Sequence, residues 1–216
     1  MSRRSTFTDQ SVTYGGIGAT LDPDFLRYPP AGFRPAEDSV KLGSGADRFE
    51  RAAEELMTWG IQRGSGFDVV EVTAGTGAQY TGISFDETGA PLAEQPSPQT
   101  EQRFAADGTA FITAGVTATL KPRGRLAGRP VPVLVVYVID EPKRVGFAYG
   151  TSGRAREHGE ESFILEHRDD DGVWLTVRSV LQPAGGIGRV LAPFRGRRRR
   201  EAVRRQLRAL HPAFPG

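Results

Sequence analysis

Two adjacent carboxylates, Glu160 and Glu161, follow a block of glycine and aromatic residues, Arg144-Val-Gly-Phe-Ala-Tyr-Gly-Thr151. If both segments are strands, neighbouring side chains point to opposite faces, so one glutamate of the pair turns inward. An inward carboxylate beside a tyrosine can move a proton, anchor a polar ligand group, or pair with Arg178 on the next strand. Phe147, Tyr149 and Thr151 alternate onto one face, where a tyrosine hydroxyl in apolar surroundings can orient a carbonyl-bearing ligand. The structural alternative is a core tyrosine bonded to backbone. The candidate ligand wall is Phe147, Tyr149, Glu161, Trp174 and Arg178. The enzymatic alternative uses Tyr149 with Glu160 or Glu161 as acid and base. Neither pattern assigns a catalytic residue.

Other constellations are weaker. His158 and His167 stand near Glu160 and Glu161, but their spacing matches no standard ligand set, so no metal is expected. Gly43-x-Gly45 lacks the third glycine and the lysine of phosphate-binding turns and reads as a helix entry. No nucleophile elbow is present, and no cofactor is implied. The chain has no cysteine, which excludes disulfide frameworks, thiol catalysis and cysteine-ligated metal centres. Residues 189–216 hold nine arginines against Glu201 alone, although the whole chain is only +2. The body is therefore acidic and the tail basic. Arg197, Arg198, Arg199, Arg200, Arg204, Arg205 and Arg208 are candidate anion-binding residues for nucleic acid or an anionic membrane surface. The alternative is a solvated helix face, which the lack of interleaved aromatic residues favours.

These residues need a scaffold, and 216 residues suffice for one domain with its own core. The 27 glycines and 15 prolines imply long loops. A disordered tail is expected over residues 1–10, a single α+β domain over 11–211, and a mobile loop over 86–107. The apolar run 131–139 is about half the length a membrane-spanning helix needs. No signal-peptide pattern opens the sequence, so a cytoplasmic protein is expected.

Phe49, Ala52, Ala53, Leu56, Met57 and Ile61 recur at helical spacing, predicting a helix over about 46–62. Ser44-Gly-Ala-Asp47 resembles its capping box. Residues 22–38 are proline-rich and read as an extended loop. Strands are expected at 67–73, 80–85, 109–120, 131–139, 144–151, 160–168 and 173–182, with 131–139 apolar on both faces and therefore central. A weaker strand is expected within 11–21. A last helix follows Pro193 to about residue 210, with Val203, Leu207 and Leu210 on one stripe. The fold class is thus α+β: a curved antiparallel sheet wrapped around a C-terminal helix, with a hollow between them.

Several pieces together resemble the domain-of-unknown-function nineteen-ninety family. They are Tyr14-Gly-Gly-Ile-Gly-Ala-Thr20, Tyr28-Pro-Pro-Ala-Gly-Phe33, Leu42-Gly-Ser-Gly45, Phe49 with Ala52 and Trp59, Val135-Val-Tyr-Val138, the Arg144 block, Gly159-Glu-Glu-Ser-Phe163, and Val173-Trp174. The chain departs from that pattern at Val133-Leu134, where members carry Cys-Arg. It departs again at residues 152–158, in place of a Leu-Pro-Gly-His-Pro turn, and at Leu181-Gln182-Pro183, in place of Ser-Arg-Pro. Any chemistry those groups supply in relatives is not carried over. The family is similar at fold level to helix-grip domains, which include START domains. The resemblance implies a small hydrophobic ligand held between sheet and C-terminal helix.

Overall fold

The computed structural model describes residues 12–14, 16–75, 103–124, 128–153, 158–182 and 192–211, with side chains of the last helix described from residue 200 onward. The expected tail over 1–10, the strand at 80–85 and most of the loop at 86–107 lie outside these residues. Residues 103–107 are described and belong to a small hairpin, bridged at Phe104 and Ala110.

The strands are β1 (Arg34–Ser44), β2 (Phe67–Thr73), β3 (Thr117–Pro122), β4 (Val131–Glu141), β5 (Arg144–Thr151), β6 (His158–His167) and β7 (Gly172–Gln182). They form one antiparallel sheet in the order β1-β7-β6-β5-β4-β3-β2. β1 begins inside the stretch read as loop. It lies at the sheet edge, paired on one side with β7 from Arg34↔Leu181 to Ser44↔Gly172. An edge strand tolerates Pro35 because one side of its backbone has no ladder to complete. Of the stretch 11–21, read as a weak strand, the described residues form a bridge from Val12 to Ser152 and the short 3-10 turn Ala19–Leu21 in place of a strand.

β4 is doubly covered, as its apolar character requires. Its inner side carries Val133 and Val135 into the main core, while Tyr137 and Ile139 join Ala148 and Ile164 in a second cluster on the outer side. Val12 and Ile17 cover that outer cluster, so the chain's early segment acts as the second layer.

The predicted 46–62 helix is realised as α1 (Ala46–Met57) and α2 (Gly60–Gly64). Trp59 breaks it, adopting a left-handed φ of 68°. Its indole is 3% exposed and packs edge-on against Phe147 at 5.4 Å, and burying so large a ring outweighs helix continuity. The capping box does not form: the residue before α1 is Gly45, with no side-chain cap. α3 (Ala192–Ala209) closes the chain across the inner side of the sheet. Its C-terminal turn approaches α2 so closely that a β-carbon on Gly64 would sit 2.8 Å from that of Ala209. Leu210 enters the main core. Arg48 of α1 donates to the Leu210 carbonyl and, at 3.2 Å, to the Leu42 carbonyl. A guanidinium at a helix C-terminus satisfies an orphan carbonyl and complements the dipole. Among the described residues no helix is long and apolar enough to cross a membrane.

Candidate functional site

The register of β5, β6 and β7 decides where the sequence-predicted site residues go. Tyr149 is opposite Glu161, and Phe147 is opposite Phe163, on the inner face. The Tyr149 hydroxyl donates to Glu161 Oε2 at 2.8 Å. Around them the rings of Trp59, Phe147, Tyr149 and Phe163 pack with centroids 5.4 to 6.4 Å apart. Phe147 and Phe163 are fully buried. Three of the five expected wall residues therefore meet.

Trp174 and Arg178 do not join them. Phe163 pairs with Val177, which faces the inner core, so the alternating residues Trp174 and Arg178 face outward. Arg178 does not reach Glu160 or Glu161 as an ion-pair partner: it donates to Glu37 at 2.7 Å and to the Thr20 carbonyl at 3.3 Å, over the ring of Phe25. Trp174 lies beneath the Arg168 guanidinium, 4.6 Å from its ring centroid.

Glu160 faces the outer side and is fully buried. Its Oε2 accepts from the Tyr14 hydroxyl and the Gly18 N–H, both at 2.8 Å. Its Oε1 accepts from the Thr20 N–H at 3.0 Å and the Thr20 hydroxyl at 2.5 Å. The Thr20 hydroxyl also lies 2.8 Å from that of Tyr137. Gly150 provides the seat for Tyr14, since a β-carbon there would stand 2.5 Å from the tyrosine oxygen. Burial, reinforced by the Glu160 charge and hydrogen bond, pushes the Tyr14 phenol far above its ordinary range. Burial likewise pushes Tyr137 up to about 12. The Tyr14-Gly-Gly-Ile-Gly-Ala-Thr20 piece and the Gly159-Glu-Glu piece are thus two halves of one lock. It clamps the early segment onto the sheet. A carboxylate carrying four donated hydrogen bonds, with no solvent access, is built for structure.

The open site lies elsewhere. A groove of about 800 Å³ runs between α1, residues 103–114 and the β4–β5 hairpin. Phe49, Met57, Ile112, Val138 and Val145 make its apolar lining, and they pack within or against the same core as Phe147 and Tyr149. Residues 103–114 are held over α1 by two hydrogen bonds: Ala106 N–H donates to Glu54 at 2.9 Å, and Ile112 N–H to the Met57 carbonyl at 2.8 Å. Arg103 bridges to Asp140 at 3.1 Å and ties this segment to β4. Glu50, Glu54, Asp140 and Glu141 stand around the mouth. Sequence reasoning missed this groove because part of its wall falls in the stretch read as a mobile loop and strand. The one available signal was Phe111-Ile112, two large apolar residues beside that loop.

His158 Nδ1 contacts the Thr13 hydroxyl at 2.7 Å, and His167 contacts Asp171 at 2.8 Å while stacking on Phe49. Neither histidine lies in a group of three or more metal-ligating side chains among the described residues. Arg200, Arg204, Arg205 and Arg208 are exposed on α3. The side chains of Arg197, Arg198 and Arg199 lie outside the described set.

An antiparallel seven-stranded sheet with two short helices after its first strand and a long helix across its inner side defines an α+β protein of the helix-grip-like class. The chain belongs to the family described as Domain of unknown function (DUF1990), whose profile it matches over residues 13–93 and 98–209. It is similar to a UPF0548 protein of Deinococcus radiodurans, 36% identical over 76 residues. That match covers 35% of this chain and 38% of the relative's length. Hypothetical protein jhp0584 from Helicobacter pylori shares the fold, with a TM-score of 0.53 at 12% identity over 93% of this chain and 97% of that one. The crystal structure of Ara h 8.0201 aligns over 83% of this chain and 99% of its own, at 12% identity and a TM-score of 0.44.

Proposed function

We propose that this protein is a binding module for a small, mainly apolar ligand seated in the groove between α1, residues 103–114 and the β4–β5 hairpin. One observation carries the reading: an open groove of about 800 Å³ whose apolar lining is continuous with the core. That volume falls within the roughly 300–1,000 Å³ of small-molecule sites, which combine apolar walls with a few polar groups. The seat differs from the hollow under the C-terminal helix that the sequence suggests. The inner-face rings of Trp59, Phe147 and Phe163 are packed against one another and buried, whereas the groove is open beside α1. In this reading Tyr149 and Glu161 act behind the site, fixing the aromatic layer that supports it.

The test is titration with a neutral solvatochromic dye, together with native mass spectrometry of the protein from its own host. Ala53 lines the groove, so Ala53→Trp places an indole inside it. The dye is expected to bind the parent and to lose about tenfold or more in affinity in the variant, on the order of 1.4 kcal/mol. A parent that binds no apolar probe and carries no adduct would overturn the reading. So would an Ala53→Trp variant that is folded, by its circular dichroism, and binds as well as the parent.

A further inference from the structure

We infer that the groove selects a ligand whose polar end is cationic: a primary amine or quaternary ammonium joined to an apolar body. This rests on the groove being the ligand seat and adds the chemistry of the group at its mouth. Among the described residues, four carboxylates, Glu50, Glu54, Asp140 and Glu141, line the groove against a single guanidinium, that of Arg103. The guanidinium is already engaged: it donates to both oxygens of Asp140, at 3.1 and 3.3 Å, and lies over the ring of Phe111. Arg103 and Asp140 therefore offset one another and leave Glu50, Glu54 and Glu141 in excess among the described lining residues. Glu54 has one oxygen on the Ala106 N–H, which keeps its side chain beside the groove. Glu141 meets Arg144 only at the limit of ion pairing, 4.0 Å away.

An apolar cleft with carboxylates at its rim concentrates negative potential at its mouth. A carboxylate-bearing ligand entering it meets like charge. A neutral one gains only from burial of its apolar part, and a cationic one gains from both. The rim carboxylates are in contact with water, so each contributes modestly and is screened by salt. The preference should be a factor of a few per carboxylate.

The experiment compares decylamine, decanol and decanoate, each below its micellar range, by calorimetric titration at low salt and at about 0.5 M salt, where screening is strong. Decylamine should bind the parent about tenfold tighter than decanol, with decanoate weaker than both. Salt should remove most of the amine's advantage. The variant Glu50→Gln/Glu141→Gln should reduce amine affinity about five- to tenfold and leave decanol unchanged. Both substitutions are at solvent-facing positions, and thermal unfolding checks that the variant is intact. Equal binding of amine and alcohol, or a variant that retains the amine's advantage, overturns the cationic assignment while the binding-module reading stands. If none of the three ligands binds the parent, or Ala53→Trp leaves all three affinities unchanged, the groove itself is refuted as the seat.

Discussion

Glu160 and Glu161 are neighbours in sequence with opposite environments, and replacing each by glutamine separates their roles. Glu160 receives four donors: the Tyr14 hydroxyl, the Gly18 N–H, and the N–H and hydroxyl of Thr20. A glutamine retains one acceptor oxygen and turns the other into an NH2 donor. The hydroxyl on that side can rotate to accept, but the backbone N–H beside it cannot. Whichever way the amide points, either Gly18 or Thr20 is left with an unsatisfied N–H in a buried site. An orphaned buried donor costs about 1–3 kcal/mol, and weakening charge-assisted bonds to neutral ones adds to it, giving about 2–4 kcal/mol in all. With a urea dependence of about 2–3 kcal/mol per molar, the unfolding midpoint should fall by about 0.7–2 M at unchanged slope. Glu161→Gln keeps an acceptor for Tyr149, so its cost should stay under about 1 kcal/mol. Hydrogen exchange at the Gly18 and Thr20 amides should accelerate in Glu160→Gln alone. The reasoning is refuted if the two variants unfold at the same urea concentration, or if those two amides exchange in the parent as fast as in an unstructured peptide.

Two further outcomes follow from the same region. Tyr14 and Tyr137 are kept neutral in the fold, whereas a phenol in the unfolded chain ionises near 10.0. Protons therefore leave the unfolded state first, so stability is intact below pH 10 and falls as pH rises above it. For Tyr137 the fall runs to about 12, a loss on the order of 2–3 kcal/mol. Denaturant titrations from pH 9 to 12 should show it, with a shallower decline in Tyr137→Phe. Gly150→Ala should cost about 1–3 kcal/mol by driving a methyl group into Tyr14. That cost should largely disappear in a Tyr14→Ala background, and a double-mutant cycle with no coupling would show that Gly150 does not seat Tyr14.

Much of the sheet was legible because alternation and turn chemistry are local signals. The strands from Val131 to Gln182 stand close to where the sequence puts them. The inner face was legible in part, since alternation alone brings Phe147 and Tyr149 together. The outward face of Trp174 and Arg178 was not legible because pairing register is a long-range property: one step along β7 reverses the face. β1 was missed because proline at an edge strand looks like proline in a loop. The helix break at Trp59 was hidden because its cause is tertiary, an indole drawn to Phe147 from a different part of the chain. The lock at Glu160 shows the same limit. Its motif pieces were visible, but nothing local ties Thr20 to a carboxylate 140 positions away.

That separation governs how the chain is made. Tyr14 and Thr20 leave the ribosome long before Glu160 exists, and β1 waits even longer for β7, the strand it pairs with. During synthesis both early segments lack their anchors, and the apolar outer surface of β4 emerges before Glu160 can fasten Val12 and Ile17 over it. Non-local pairing of this kind slows folding and leaves strand edges available to other chains. The nascent protein should therefore depend on chaperone protection until its last strand is complete, and a stall before residue 160 should yield an aggregating fragment in place of a folded subdomain.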